Sequence, residues 1–257
     1  MIWIVIILFS FASKAGADDF MGKKIVDLTY SFNEKTIYWP TAKPFEHIQV
    51  AWGLAPEGYW YTSANFSASE HGGTHLDAPI HFGEHKWTSD QIPIDRLMGP
   101  VFVIDISDSC EKNPDYQLTV QDIQNWETKN GRIPKNSIVL IRTGWGKYWP
   151  DKKKYLGNDK PGDATNLHFP GFSKDSAKFL VNDRKVKGVG LDTASLDPGT
   201  STDFMAHQTF NSANVYGLEN IANLERVPAK GAILIALPMK IDHGTGGPTR
   251  VVALLEK

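Results

Sequence analysis

A chain of 257 residues with 41% hydrophobic and 22% charged residues has the composition of one soluble domain with a large core. Its formal net charge of -2, with both signs interspersed, excludes a basic stripe for nucleic acid and a polybasic patch for membranes. Cys110 is the single cysteine of the sequence, which excludes an intrachain disulfide and a cysteine-based zinc cluster. We therefore expect the partner to be a small molecule.

The N-terminal segment is almost wholly apolar from Ile2 to Phe11 and runs into the small residues Ala15-Gly-Ala17. It is shorter than the ~20 residues that a membrane span needs, so we predict a cleaved signal peptide over residues 1–17, no stable membrane span, and a secreted or periplasmic domain over residues 18–257. The alternative is a cytoplasmic protein that starts at Met21.

Strand signals outnumber helix signals along the rest of the chain. Apolar or alternating runs predict strands at residues 25–30, 59–69, 101–106, 137–142, 186–191, 232–237 and 250–255. Helical spacing predicts helices at 118–129, with Thr119 as N-cap, from Ser173 onward, and at 220–224. Residues 149–170 are expected to be a long loop, either a lid or an oligomer contact. This mixture predicts a single α+β domain with a mixed sheet and flanking helices.

Three histidines and a carboxylate lie within residues 71–82, whose sequence is His-Gly-Gly-Thr-His-Leu-Asp-Ala-Pro-Ile-His-Phe. They share parity, so an extended chain would point all of them toward one face. Imidazole nitrogen and carboxylate oxygen are ligands that Zn2+ or Mn2+ takes. The segment therefore predicts a divalent-metal site whose candidate residues are His71, His75, Asp77 and His81.

The same segment cannot be a straight strand, because ten residues of strand would separate His71 from His81 by about 33 Å. Gly72-Gly73 supplies the backbone freedom for a bend, and Pro79 supplies a fixed corner. The bend can fold His71 back toward the others while His81 approaches from the opposite side. His81 can then serve as a ligand or as a base for proton transfer. Because ligand imidazoles must be neutral, metal affinity is expected to weaken as pH falls through about 6.5.

Aromatic residues flank the metal segment on both sides. Trp39, in a proline-rich stretch, is interpreted either as a pocket wall or as ordinary core. Phe66 precedes the metal segment with opposite parity, so a bend is needed to bring it into the same pocket, and Trp87 follows it. Stacked aromatic side chains hold a planar ring, so we predict a small aromatic substrate bound by these three residues.

Residues 71–82 resemble the H-x-G-T-H-x-D-x-P-x-H-F motif of the metal-dependent cyclase superfamily, which includes bacterial kynurenine formamidases and isatin hydrolases. Similar stretches extend over most of the chain, at residues 25–29, 139–145, 188–195 and 236–240. The resemblance implies the swivelling β/β/α fold and a homodimer or homotetramer. It also implies two Zn2+ or Mn2+ ions per chain and a catalytic acid/base, His81. The implied ligands are His71, His75, Asp77, His207 and Glu219.

Two later features are ambiguous when read from the residues alone. His207 stands among apolar neighbours and is typical of a core histidine, and only Glu219 and the family spacing make it a candidate ligand. Asp192 follows a predicted strand and is either a partner of a metal-bound histidine or a turn former. The glycine-rich segment 244–248 lacks the features of a phosphate loop and receives no function.

The leading hypothesis is a metal-dependent amidohydrolase, an arylformamidase that converts N-formylkynurenine to kynurenine in tryptophan catabolism. An isatin hydrolase-type opening of a cyclic aryl amide is the alternative substrate. The alternative from another class is a non-catalytic, secreted metal- or ligand-binding protein. His81 argues against a pure binder, because a binding site gains nothing obvious from a base.

Overall fold

The computed structural model describes residues 19–20 and 22–256. The strands are β1 (Asp19–Phe20), β2 (Lys23–Asp27), β3 (Glu46–Leu54), β4 (Trp60–Ser67), β5 (His75–Asp77), β6 (Met98–Asp105), β7 (Gln117–Leu118), β8 (Ile138–Arg142), β9 (Gly171–Phe172), β10 (Gly188–Leu191), β11 (Tyr216–Glu219), β12 (Ala232–Pro238) and β13 (Gly246–Leu255). The α-helices are α1 (Ser107–Lys112), α2 (Val120–Asn130), α3 (Lys152–Leu156), α4 (Lys174–Phe179) and α5 (Met205–Ser212). A π-helical turn, Leu180–Arg184, continues α4.

Among the described residues, nine strands form one sheet in the order β1-β2-β13-β12-β6-β8-β10-β11-β5. β6, β8, β10 and β11 are parallel neighbours, whereas the outer pairings are antiparallel. β5 pairs with β11 on one side and with β13 on the other, so the sheet closes on itself like a barrel. The predicted mixed sheet is confirmed, and the fold is a single mixed α/β domain with few helices.

The closed sheet separates two apolar cores. One core includes Leu76, Leu140, Leu234 and Val251 and lies on one face of the sheet strands. The other lies between the opposite face of the parallel strands and the helices that cover it, and Phe210 of α5 is one of its fully buried members. Opposite faces of each parallel strand are therefore buried, which accounts for their nearly continuous apolar sequences.

The helix signals at Thr119 and Ser173 are confirmed. The Thr119 hydroxyl accepts from the backbone N–H of Asp122 at 3.1 Å, and the Asp122 carboxylate accepts from the N–H of Thr119 at 2.8 Å, a reciprocal capping box. The Ser173 hydroxyl accepts from the N–H of Ser176 at 3.1 Å at the start of α4. Capping is local chemistry, and it was correctly predicted for that reason.

The helix predicted at 220–224 is wrong. Asn220 and Asn223 have positive φ angles of 53° and 56°, a left-handed conformation that interrupts a right-handed helix. The structure also places α3 inside the predicted loop at 149–170, and α5 carries His207 where no helix was predicted. Tyr155 of α3 is fully buried, so this part of the segment packs inward.

The hairpin β3–β4 forms a separate two-stranded sheet. It exposes large apolar side chains along its length, and each of the following is more than half exposed: Ile48, Val50, Trp52, Leu54, Tyr59, Trp60, Tyr61 and Phe66. The residues that the structure describes include no helix long and apolar enough to cross a membrane.

Candidate metal centre

The register of β5 and β11 brings the first ligands of the centre together. In the antiparallel pair β5–β11, His75 stands opposite Glu219, and Gly217 stands opposite Asp77. Directly opposed residues present their side chains to the same face, so the pairing brings a carboxylate from the end of β11 to the imidazole of β5. The His75 Nε2 atom lies 3.2 Å from Asp77 Oδ1 and 3.5 Å from Glu219 Oε2.

The predicted bend before β5 is confirmed. Gly73 has a φ of 59°, and a Cβ there would lie 2.7 Å from the Phe32 ring, so both conformation and space require glycine. The bend returns His71 to Asp77, and its Nδ1 lies 2.6 Å from Asp77 Oδ1. After β5, a 3-10 turn spans Pro79–His81 and supplies the predicted corner.

His207 reaches the same centre from α5. Its Nε2 lies 3.1 Å from Glu219 Oε1 and 3.4 Å from Asp77 Oδ2. Asp197 sets its position, because one carboxylate oxygen accepts from the N–H of Ala206 at 2.8 Å and the other accepts from His207 Nδ1 at 2.7 Å. The structure thus brings all five candidate ligands together, together with His81.

Asp197 orients His207, and no motif in the sequence pointed to it. Of the two interpretations of Asp192, partner of a histidine or turn former, the structure supports the second: Asp192 accepts from the N–H and hydroxyl of Thr143 at 2.8 and 2.7 Å and from the N–H of Gly144 at 3.0 Å. It therefore holds the turn after β8. Both aspartates follow β10 in a short polar turn, and no local pattern distinguishes the one that faces α5.

The hydrogen bonds of His75 and His207 determine which ring nitrogen carries hydrogen. His75 Nδ1 lies 2.9 Å from the carbonyl oxygen of Gly73, which can only accept, so Nδ1 donates and Nε2 presents a lone pair. His207 Nδ1 likewise donates to the Asp197 carboxylate. When both imidazoles are neutral, as metal ligation requires, each outward nitrogen is a donor and each inward nitrogen is an acceptor that faces carboxylate oxygens.

With its imidazoles neutral, such a centre is rich in lone pairs and lacks donors. His75 Nε2 and Asp77 Oδ2 are buried and have no hydrogen-bond partner among the described residues. The candidate ligands form two groups, and within each group the ligand atoms lie within 4.8 Å of one another. One group is His71, Asp77 and His81, and the other is His75, Asp77 and Glu219, so Asp77 belongs to both. Buried acceptors are stabilised by a cationic partner, and this donor set fits a divalent metal ion.

In the protein without cations, the carboxylates hold protons on the histidines. Burial lowers the pKa of His75, but the nearby Asp77 and Glu219 carboxylates outweigh it and raise that pKa to about 9. Burial likewise opposes charge on His207, yet hydrogen bonds to Asp197, Asp77 and Glu219 raise its pKa well above the usual range. His81 differs, because burial lowers its pKa to about 3 despite the attraction of Asp77.

The centre opens into a cavity of about 330 Å³. Trp39 lines it and also packs against a small apolar cluster around Tyr155, so both interpretations of Trp39 hold. Phe66 and Trp87 do not line this cavity. Phe66 lies on the exposed hairpin, and Trp87 packs against the core with the Arg96 guanidinium 5.5 Å from its ring centroid. Both were predicted from their proximity to the metal segment in the sequence, but the chain turns away from the cavity on both sides of that segment.

Two aromatic walls of the cavity were missed. Phe82 directly follows His81, and its ring centroid lies 4.6 Å from that of His207. Phe204 precedes α5 with a φ of 51°, and its ring centroid lies 5.5 Å from Phe82 and 6.3 Å from Trp39. A left-handed conformation in a bulky residue beside a functional site is a strained feature that only the structure reveals.

Comparison with known proteins gives the family of the chain. A family model described as a putative cyclase matches residues 26–198. The isatin hydrolase of Roseibium aggregatum is 39% identical over 196 residues, which cover 73% of each chain. A kynurenine formamidase of Bacillus cereus is 28% identical over 228 residues, which cover 88% of this chain and 95% of the relative.

Solved structures show the same relationship. Isatin hydrolase A from Labrenzia aggregata, bound to benzyl benzoate, superimposes with a TM-score of 0.84 at 36% identity and covers 92% of this chain and 95% of its own. An isatin hydrolase bound to the product analogue thioisatinate superimposes with a TM-score of 0.83 at 33% identity and covers 92% of this chain and 94% of its own.

Proposed function

We propose that this chain, which belongs to the cyclase family and is a metal-dependent amide hydrolase, opens a small cyclic aryl amide of the isatin type. The observation that carries the choice of substrate is the lining of the cavity. It combines the acceptor-rich centre with the rings of Trp39, Phe82 and Phe204, and the described residues that line it include no lysine or arginine.

That lining favours a neutral planar substrate. Isatin is a flat bicyclic amide without charge, whereas N-formylkynurenine carries an amino-acid ammonium and carboxylate that need polar partners when buried. Among the described residues that line the cavity, the titratable side chains belong to the centre itself, apart from Tyr38. Aromatic walls hold a planar ring by shape and dispersion, which supports the smaller, uncharged amide.

We propose that the cations are two Zn2+ or Mn2+ ions that share Asp77. The ligands would be His71, His75, Asp77, His207 and Glu219. When bound there, a divalent cation supplies a more acidic water and a Lewis acid for the amide carbonyl. The protein contributes fixed ligand orientation through the Gly73 carbonyl and the Asp197 carboxylate, each of which aims one imidazole inward.

We assign proton transfer to His81. The imidazole stacks on His71 beside Asp77, next to the ligands that would hold a cation and its attacking water, and it is neutral near pH 7. Hydrolysis joins the water oxygen to the carbonyl carbon and breaks the ring C–N bond. The proton that His81 took is then returned to the ring nitrogen, which becomes an aryl amine on the opened product, and the new carboxylic acid releases the second water proton to become a carboxylate.

Tyr38 is proposed to contact the substrate. It lines the cavity, its side chain is 2% exposed, and its hydroxyl has no hydrogen-bond partner among the described residues. Burial raises the pKa of this hydroxyl to about 12, so it remains a donor. An amide or ketone oxygen of the substrate would satisfy it.

The arylformamidase reaction is the second candidate, supported by the kynurenine formamidase relatives that align over most of the chain. Purified protein supplied with Zn2+ and Mn2+ in turn should be assayed with isatin and with N-formylkynurenine. We expect kcat/KM for isatin to exceed that for N-formylkynurenine. The reverse order would favour the formamidase, and no hydrolysis of either amide would refute both substrate proposals.

We also propose that the protein is a homodimer or homotetramer in which the β3–β4 hairpin is covered by a second copy. An isolated two-stranded hairpin is marginally stable in water, and an exposed apolar patch of this kind marks an interface. Sedimentation should show a dimer or larger species. The Trp52→Ser/Trp60→Ser variant should shift it toward monomer, whereas Ile94→Ser, at an equally exposed apolar residue outside the hairpin, should not. A monomeric wild type would refute this assembly.

Two further proposals rest on the sequence resemblance or on the apolar N-terminus. The closed sheet with helices over its parallel strands supports assignment to the swivelling β/β/α fold.

The signal peptide at 1–17 and the resulting export remain proposals, since residues 1–18 lie outside the described part of the chain. Intact mass of protein purified from its native host would test cleavage after Ala17.

A further inference from the structure

We propose that Thr245 and Glu70 are positioning residues that lock His71 into the tautomer whose Nδ1 faces Asp77. This inference rests on the proposed metal centre and deepens it. It assigns a role to the glycine-rich segment 244–248, which received none from the sequence.

The argument begins with a chain of hydrogen bonds. The Thr245 hydroxyl lies 2.5 Å from Glu70 Oε2 and 2.8 Å from His71 Nε2. The Glu70 carboxylate only accepts, so the single hydroxyl hydrogen of Thr245 is committed to it. Glu70 Oε2 also accepts from the backbone N–H of Thr245 at 2.8 Å, which fixes the carboxylate.

The direction of the chain then determines the state of His71. Because the Thr245 hydroxyl donates its hydrogen to Glu70, it can only accept a hydrogen bond from His71. His71 Nε2 must therefore carry a hydrogen. In the neutral imidazole that a metal ligand must be, Nδ1 is left with a lone pair, 2.6 Å from Asp77 Oδ1. Two facing acceptors at that distance repel each other unless a cation lies between or beside them. The outer hydrogen bonds thus prepare His71 Nδ1 as a ligand.

The backbone around Thr245 is fitted to the same purpose. The N–H of Ala78 donates to the Thr245 carbonyl at 2.8 Å, and Gly246 pairs with Asp77 at the closure of the sheet. A Cβ on Gly246 would lie 2.7 Å from His71 Cε1 and 2.5 Å from the Leu76 carbonyl oxygen. Only glycine lets the segment pass close enough for Thr245 to reach the imidazole.

His71 depends on this support more than the other histidines do. Its side chain is 23% exposed, whereas those of His75 and His207 are 2% and 5% exposed. His75 is fixed by a backbone carbonyl and His207 by a buried aspartate. Loss of the Thr245 hydroxyl should therefore weaken the cation held by His71 and spare the one held by His75 and Glu219.

The test is metal titration of the full-length apoprotein with Mn2+ and with Zn2+, read by competition with a chelating dye. Loss of such an outer partner lowers metal affinity by about 10- to 100-fold, so Thr245→Val should bind one equivalent that much more weakly and the other as in wild type. Thr245→Ser keeps the hydroxyl and should restore both. Glu70→Ala should weaken the same equivalent, because it removes the acceptor to which the Thr245 hydroxyl donates and frees that hydroxyl to donate to His71.

Thr165→Val is the matched control, because the Thr165 hydroxyl also donates to a carboxylate, that of Asp163, on the exposed surface. It should titrate like wild type. If Thr245→Val binds both equivalents with wild-type affinity, the positioning role is refuted while the metal centre stands. If wild type binds no divalent cation, the metal centre itself is refuted and this proposal falls with it.

Discussion

The imidazole of His81 stacks face to face on that of His71, with ring centroids 3.8 Å apart and an interplanar angle of 19°. The contact places His81 beside Asp77, within reach of one of the two candidate cation positions. Parity and the Pro79 corner predicted that His81 approaches the same centre from the side opposite His71, and left open whether it is a ligand or a base. Its low pKa accords with either role, because both require a neutral imidazole.

Substitution of His81 separates the two roles. A positioned general acid/base contributes about 10²- to 10⁴-fold, so we expect His81→Ala to lower kcat by about that factor while metal content stays near wild type. Steady-state kinetics and metal analysis of the same preparation measure both quantities. An emptied site, or turnover at the normal rate, would show that the proposed division between ligand and base is wrong.

Substitution of His75 should give the opposite pattern. His75→Ala removes a buried nitrogen that faces two carboxylates, so metal and activity should be lost together. Metal analysis of dialysed wild type should show about two equivalents. His85→Ala is a suitable control, because the His85 side chain is 89% exposed and pairs only with Glu84. Retention of both equivalents in His75→Ala would contradict the assignment.

Metal binding should depend on pH over a higher range than the sequence suggested. An unperturbed histidine loses its proton near pH 6.5, but Asp77 and Glu219 raise the pKa of His75 to about 9. A cation must displace that proton, so affinity should rise with pH up to about 9 and fall steadily below it. Titration calorimetry in buffers of different ionisation enthalpy should detect proton release near pH 7. Affinity that levels off above pH 7 would contradict this expectation.

Tyr38→Phe should affect function and stability in opposite directions. The variant keeps the ring that packs over Gly72 and removes only the buried, unpaired hydroxyl. A buried polar group without a partner costs about 1–3 kcal/mol, so the melting temperature should stay or rise, whereas loss of a substrate hydrogen bond should lower kcat/KM by about 2- to 10-fold. Unchanged kcat/KM for isatin would remove Tyr38 from the substrate site.

The ion pair of Glu127 and Arg184 should make the free energy of unfolding depend on pH in the acidic range. Both side chains are about nine-tenths buried, and two N–O contacts of 2.6 Å join them. Burial opposes charge on Glu127, but the Arg184 hydrogen bonds outweigh it and lower the carboxyl pKa. A lowered folded pKa stabilises the fold above the unfolded pKa of about 4.3, and this contribution is lost as pH falls through the folded pKa.

Accordingly, Glu127→Gln should lower the free energy of unfolding by about 2 kcal/mol near pH 7, since it weakens charge-assisted hydrogen bonds. Urea denaturation at several pH values measures the difference between wild type and variant. That difference should shrink as the solution is acidified below the folded pKa. A constant difference over the whole range would mean that packing, and not the charge of Glu127, stabilises this contact.

Several features were readable from the sequence because they depend on local chemistry. The ligand types in 71–82, their shared parity, the bend at Gly73 and the caps at Thr119 and Ser173 involve residues only a few positions apart. The family resemblance added His207 and Glu219. The failed helix at 220–224 is instructive, because apolar spacing alone suggested it while two asparagines in left-handed conformations prevent it.

Tertiary structure decided which distant residues complete the centre. Asp197 fixes His207 only because α5 packs against the turn after β10, and Thr245 meets His71 across a sequence separation of 174 residues. Those contacts depend on the register by which β5 joins both β11 and β13. A shift of one residue in that register would turn His75 and Asp77 to the opposite face, and no local pattern in the sequence specifies such a long-range pairing.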